Sequence, residues 1–318
     1  MVDIYISPTG KDTNPGTRQE PFATLERAQL AAQQATNDVT IHLRAGTYPL
    51  SQTLTVNAPT KHHITYQAYE HDKTSEKVII SGGHVIVEWQ QNHDIWETNI
   101  GERDARQLYV DGERVERASI QSLPENTHVT KTGYTVPTAE MPQWQTPSSV
   151  ELVYRGVYPW TEARCGVSSV RHDTDSTVIT MTQPAFTWAH ELYNSAWDGN
   201  TSSGPGLPTR IENDASFLTP GSFAIDRSTP GQHILRYAPR ADEDPSTTHV
   251  VLPALETLIR LTNVRNMSFK GLTFADATWL LPNRDQAFLH YHGSGYYNGT
   301  GEINKVVVVE DQAWVTVP

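Results

Sequence analysis

The stretch Val39-Thr40-Ile41-His42-Leu43-Arg44-Ala45-Gly46-Thr47-Tyr48 decides the fold. Val39, Ile41 and Leu43 alternate with polar residues, a period of two that gives an extended strand one apolar face, and Ala45-Gly46 interrupts it. The pattern recurs downstream at Leu54 and Val56, at Ile64, Tyr66 and Ala68, at Val78 and Ile80, and at Val85 and Val87, with Ser81-Gly82-Gly83 as punctuation. Many short strands with few helices between them specify an all-β architecture: a sandwich, a barrel or a solenoid. Upstream, Phe22, Leu25, Ala28, Ala31, Ala32 and Ala35 follow a helical period closed by Asn37-Asp38. One amphipathic helix ahead of a run of strands favours the solenoid, whose first coil exposes an apolar edge that needs a cap. A short strand, Asp3 to Ile6, and a turn-rich loop, Ser7 to Thr17, precede the helix.

Between Trp89 and Pro245 the pattern changes. Trp96, Trp144, Trp160, Trp188 and Trp197 fall there, with a hairpin signal at Asp111-Gly112 and a loop-like Ser202-Ser203-Gly204-Pro205-Gly206. The segment reads as an inserted, irregular β-rich module, expected to help wall a substrate cleft. Regular runs then resume with Val250-Val251-Leu252, Leu258-Ile259-Arg260-Leu261, Val264, Met267, Phe269, Leu272 and Phe274, and Asn263 and Asn266 fall at corners between them. The expected division is 1–88 for cap and first coils, 89–247 for the insert, and 248–318 for resumed coils.

The 318 residues carry 24 Lys+Arg against 36 Asp+Glu, a formal net charge of −12. That balance, without a basic run, argues against a nucleic-acid partner or an anionic membrane surface, because phosphate neutralisation needs a basic stripe. No stretch approaches the roughly 20 apolar residues of a membrane span. Cys165 is the one cysteine, which excludes an internal disulfide and a multi-cysteine zinc site and reads as a small buried thiol. Met1 leads into Val2-Asp3-Ile4-Tyr5 without the charged and apolar regions of a signal peptide, leaving a cytoplasmic chain or a mature one as alternatives.

Several segments resemble one superfamily. Tyr5-Ile6-Ser7-Pro8-Thr9-Gly10, Asn14-Pro15-Gly16-Thr17, Pro21-Phe22-Ala23-Thr24-Leu25 and Leu43-Arg44-Ala45-Gly46-Thr47-Tyr48 look like the start of right-handed parallel β-helix proteins of the pectin-lyase-like superfamily. Ile64-Thr65-Tyr66-Gln67-Ala68, Arg106 to Arg114 with Arg117-Ala118, Tyr237-Ala238-Pro239-Arg240 and Phe269 to Trp279 resemble bacterial β-helix glycoside hydrolases of the fucosidase, xylanase and β-xylosidase type. The resemblance implies an all-β, right-handed parallel β-helix with an N-terminal capping helix and an inserted β-rich module. It also implies an oligo- or polysaccharide partner, no cofactor, and an extracellular or periplasmic location. Such hydrolases are much longer, and their catalytic carboxylates lie in later coils, expected beyond Pro318.

Glycoside hydrolysis needs two carboxyl groups facing one sugar. Asp276, Asp285, Glu302, Glu310 and Asp311 lie nearest the resumed coils, Asp276 and Asp285 being the catalytic candidates, although no spacing singles out a pair. Trp279, where a coil leaves for a loop, suits stacking on a sugar ring, and Gln286 and His290 suit hydrogen bonds to its hydroxyls, with Tyr291 and His292 beside them. His290 and His292 lack a third ligand at a recognisable spacing, and His62-His63 are neighbours that face apart on a strand, so no metal is expected.

Three functions compete: a glycoside hydrolase, a polysaccharide lyase on the same fold, and a non-catalytic glycan-binding or adhesin module. A lyase needs a cationic base or calcium for its uronate, for which Arg106, Arg114 and Arg117 are the local cluster. The strand-like runs Val306 to Val309 and Trp314 to Val317 end the chain without a capping helix, an expectation of self-association through an uncapped coil. The chain alone is expected to bind glycans weakly and to hydrolyse little.

Overall fold

The computed structural model describes residues 1–57, 61–71, 74–155, 162–183, 186, 206–280, 288–289 and 296–297. They form two compact units, one of residues 1–86 and 250–279, the other beginning at residue 87.

The first unit is a right-handed parallel β-helix. Strands β1 (Val2–Ile6), β2 (Val39–Leu43) and β5 (Ile64–Ala68) lie side by side with Met267–Lys270 as one parallel face. A second face pairs β3 (Gly46–Pro49) with Val78–Ser81 and Leu272–Ala275, and a third pairs β4 (Leu54–Val56) with Ile259–Leu261, again all parallel. The chain therefore turns a corner after each strand and returns one rung higher. Register follows the apolar alternation. Ile4, Ile41, Tyr66 and Phe269 stand in line, as do Val39, Ile64 and Met267. A slip of one residue would turn that whole set outward, so the inward file fixes the pairing. Tyr66 and Phe269 stack within it at 5.2 Å.

The helix α1 spans Leu25–Gln34, shorter than the Phe22 to Ala35 expected. Phe22 belongs to an extended segment instead: its N–H donates to Tyr5 O at 3.0 Å and its carbonyl accepts from Ser7 N–H at 2.9 Å. Thr24 caps α1, its side chain accepting from Arg27 N–H. Leu25, Ala28 and Ala32 are buried in one cluster with Ile4, Ile6, Ile41 and Tyr66, so α1 covers the apolar end of the first rungs.

Two expectations at the corners change. Gly83–Ile86 and Val250–Pro253 are strands, but they pair antiparallel with each other rather than stacking as rungs. Val85 and Val87, read as inward, are exposed at 49% and 76%. Alternation without a covering layer marks a ribbon, not a core face. Asn263 and Asn266 do sit at corners, with φ of 54° and 60° in the left-handed region that asparagine tolerates.

The second unit is β-rich and mostly antiparallel. Ile95–Gly101 pairs with His233–Ala238, which pairs with Ser222–Asp226. A larger sheet runs through Arg210–Glu212, Glu151–Arg155, Glu162–His172, Ser176–Met181 and Gly133–Pro137. Asp111 and Gly112, at φ 50° and 82°, form the two-residue turn between Tyr109–Val110 and Glu113–Arg114, as that dipeptide favours. Trp96 is fully buried between Trp89 and Tyr237, at ring separations of 5.7 and 5.6 Å. Trp160, Trp188, Trp197 and the segment 202–205 lie outside the described residues, as do the runs from Val306 to Val317.

Candidate functional site

Within the β-helix, one corner carries Asp276 and Trp279, two of the residues singled out in the sequence. The second face ends at Ser81 on one rung and at Ala275 on the next, and the chain turns there through Ser81-Gly82-Gly83 and through Asp276-Ala277-Thr278-Trp279. Ser81 Oγ donates to Asp276 Oδ2 at 2.5 Å and accepts from Gly83 N–H at 3.2 Å. Asp276 itself has φ 59°, a conformation that short polar residues accept because the side chain can bond locally. The backbone locks the corner further: Gly82 N–H donates to Ala275 O, Ala254 and Leu255 N–H both donate to Gly82 O, and Thr278 N–H donates to Leu255 O. Gly83 is required by close approach, since a methyl group there would stand 2.4 Å from Val251 Cγ1 and 3.0 Å from Asp276 Cβ.

Asp276 is thus a half-buried carboxylate held by a buried serine, and half-buried Trp279 follows three residues later. A carboxylate in that setting can accept sugar hydroxyls, and the indole offers an apolar edge or face. Asp285, Gln286, His290 and His292 lie outside the described residues, with Tyr291, Glu302, Glu310 and Asp311. Ser81 was read only as turn punctuation. Its partner stands 195 residues away, so no local window of sequence contains the pair.

The histidine pair does face apart: His62 Nε2 lies 3.0 Å from the Ala32 carbonyl and His63 Nε2 2.9 Å from Ser268 Oγ. Cys165 is a buried thiol, pushed up to about 12 by burial.

The arginine cluster weighed for uronate recognition is divided in the second unit. Arg106 and Arg117 are buried and engaged, Arg106 Nη1 to Glu151 Oε2 at 2.7 Å, Arg117 Nη2 to Glu151 Oε1 at 3.2 Å and Arg117 Nη1 to Glu212 Oε2 at 3.4 Å. Arg164 adds a 2.5 Å contact to Glu212, and Arg227 closes on Asp104 at 2.8 Å. Burial opposes charge on Glu151, yet the guanidiniums of Arg106, Arg117, Arg227 and Arg164 hold its carboxyl well below the usual range. Burial lowers Arg106 to about 10 against the pull of Glu151. These arginines hold a folded core together, and Arg114, on the exposed hairpin, is the one of the three left at the surface.

Residues 8–55 match the family described as a protein of unknown function, DUF1565. The uncharacterized protein YwoF of Bacillus subtilis is 28% identical over 134 residues, 40% of this chain and 26% of that protein. Pectate lyase PEL9 of Emericella nidulans is 40% identical over 83 residues, 26% of this chain and 18% of that protein. A solved structure described as a glycoside hydrolase superposes with a TM-score of 0.69 at 25% identity, over 89% of this chain and 52% of its own. The matches thus span about a quarter or less of the two curated relatives and about half of the solved structure.

Proposed function

We propose that this chain is the glycan-holding part of a carbohydrate-active β-helix hydrolase. The observation that carries this is the likeness to a glycoside hydrolase over 89% of the chain, which takes in both units. The corner supplies the carboxylate of Asp276 and, three residues on, the indole of Trp279, and Gln286 and His290 follow in the sequence. Hydrolysis takes two carboxyl groups across one sugar. Asp276 is the candidate within the described residues, with Asp285 its proposed companion, and the solved glycoside hydrolase holds about as much chain again beyond the aligned part. Glycan binding is the expected behaviour. A polymeric substrate fits an extracellular or periplasmic site of action. No helix among the described residues is long and apolar enough to cross a membrane.

The likeness to pectate lyase PEL9 favours a second activity, β-elimination. Against it, Arg106 and Arg117 are already committed to Glu151 and Glu212.

Affinity electrophoresis through gels containing xylan or other polysaccharides, with reducing-end assays on the same samples, tests the proposal. Retardation that Trp279→Ala weakens is the expected result. Robust turnover lost on Asp276→Asn would move catalysis into this corner. Absence of retardation by every glycan would overturn the proposal.

A further inference from the structure

A second site lies on the first rungs of the β-helix, at the loop that precedes α1. The loop of residues 7–21 and Arg44 enclose a depression of about 390 Å³ lined by Ser7, Lys11, Asn14, Arg18, Glu20 and Arg44, among others. Its lining carries three cations against one carboxylate, in a chain whose net charge is −12. Arg44 Nε faces both carboxylate oxygens of Glu76 at 3.2 Å, which anchors it. Neither Lys11 nor Arg18 has an ion-pair partner among the described residues, although Glu20 stands in the same lining.

Two of the three cations, Arg18 and Arg44, are held in place. The guanidiniums of Arg18 and Arg44 lie over the Tyr69 ring at 5.5 and 5.0 Å from its centroid, a contact that fixes their planes without satisfying their N–H groups. The loop is ordered by its own backbone: Tyr5 N–H donates to Gly16 O, Gly16 N–H to Glu20 O, Lys11 N–H to Pro21 O and Asn14 Nδ2 to Pro21 O. Beside the depression, Tyr5 stacks on His42 at 4.7 Å, and both rings meet Tyr69 edge-on at 6.0 Å. Tyr5, His42, Gln67 and Lys270 stand in register on the outward side of the first face, a strip of ring, amide and ammonium across four rungs, with Asp3 Oδ1 3.0 Å from His42 Nε2 at its edge.

Positively charged forks recognise planar or tetrahedral anions, and ring faces with amides recognise sugar rings. We infer that this depression and the adjoining strip form a subsite for an acidic glycan, its carboxylate or sulfate lying among Lys11, Arg18 and Arg44 and its sugar ring against Tyr5 and His42. The inference stands on local geometry, is separate from the Asp276 corner, and is read by equilibrium binding rather than by turnover.

The full chain is run through gels containing polygalacturonate, a sulfated galactan or neutral xylan. A chain of net charge −12 has no general attraction to a polyanion, so retardation by one reports a specific site. Retardation by polygalacturonate identifies a carboxylate ligand and retardation by the galactan a sulfate. The variant Lys11→Gln/Arg18→Gln changes exposed residues and keeps the fold, checked by circular dichroism and thermal unfolding. It is expected to lose about tenfold in apparent affinity for the acidic polymer while xylan binding is unchanged. Equal retardation of variant and parent, or no retardation by either acidic polymer, would overturn the inference. Trp279→Ala separates the two sites, since it should weaken only binding at the Asp276 corner.

Discussion

Glu151 shows what one buried carboxylate does in the second unit. Four guanidiniums converge on it or its neighbours, so replacing it takes from buried Arg106 its 2.7 Å carboxylate partner and leaves Glu212, 3.9 Å away, and takes one of two partners from Arg117. Glu151→Gln is expected to cost about 3–5 kcal/mol, the range for breaking a buried pair by removing one partner, measured by urea unfolding at pH 7. The same network sets the acid response. The carboxyls of Glu151, Glu212 and Glu162 all lie below their ordinary value, despite burial, because arginines surround them. Their stabilisation is complete above the unfolded value of about 4.3 and is lost as pH falls through the lower folded values. Urea midpoints should therefore stay level from pH 7 to 5 and drop toward pH 3, less steeply in Glu151→Gln than in the parent. At the Asp276 corner, Gly83→Ala should cost about 1–3 kcal/mol because a methyl group 2.4 Å from Val251 Cγ1 forces a shift. Asp276 was visible in the sequence as an acid after a strand. Its serine was not, and neither was the link from Lys11 and Arg18 to Arg44, because residues paired across rungs are remote in the chain.

At the scale of elements, α1 is the part whose role is simplest to test. Leu25 is 1% exposed and packs on the first rungs, whereas Leu30, on the same helix, is 55% exposed. Leu25→Ala should cost about 2–5 kcal/mol and Leu30→Ala less than about 0.5 kcal/mol, both read from thermal or urea unfolding. Thr24→Ala removes the N-cap and should cost about 1 kcal/mol. The rungs were legible because the inward residues, such as Val39, Ile41 and Leu43, are buried on one side only and so print a period of two. The exit from the helix was less legible. Val85 and Val250 alternate like rung residues, but they belong to an antiparallel ribbon whose pairing partner lies beyond the whole inserted segment. Phe22 was drawn into the helix by its spacing, while its backbone is bound to Tyr5 and Ser7.

For the molecule as a whole, the Asp276 corner and the reach of the outward strip depend on one feature of topology. Residues 259–275 must stack as rungs on residues 39–81, with residues 87–249 leaving and returning between them. Only then does Ser81 meet Asp276, and only then does the Tyr5 strip reach Lys270. Cross-linking tests this register. Gln67 and Lys270 are paired neighbours on the outward side of parallel strands, where about 4.8 Å separates the backbones, within the span of a disulfide. Phe269, one residue earlier, points inward onto Tyr66. The double variant Gln67→Cys/Lys270→Cys, oxidised under mild conditions and mapped by peptide mass spectrometry, should form an intrachain disulfide in most molecules, with the Cys165 thiol left free. Gln67→Cys/Phe269→Cys should form little. Absence of the first cross-link, or preference for the second, would contradict the stacked register and with it the Asp276 corner and the strip that reaches Lys270.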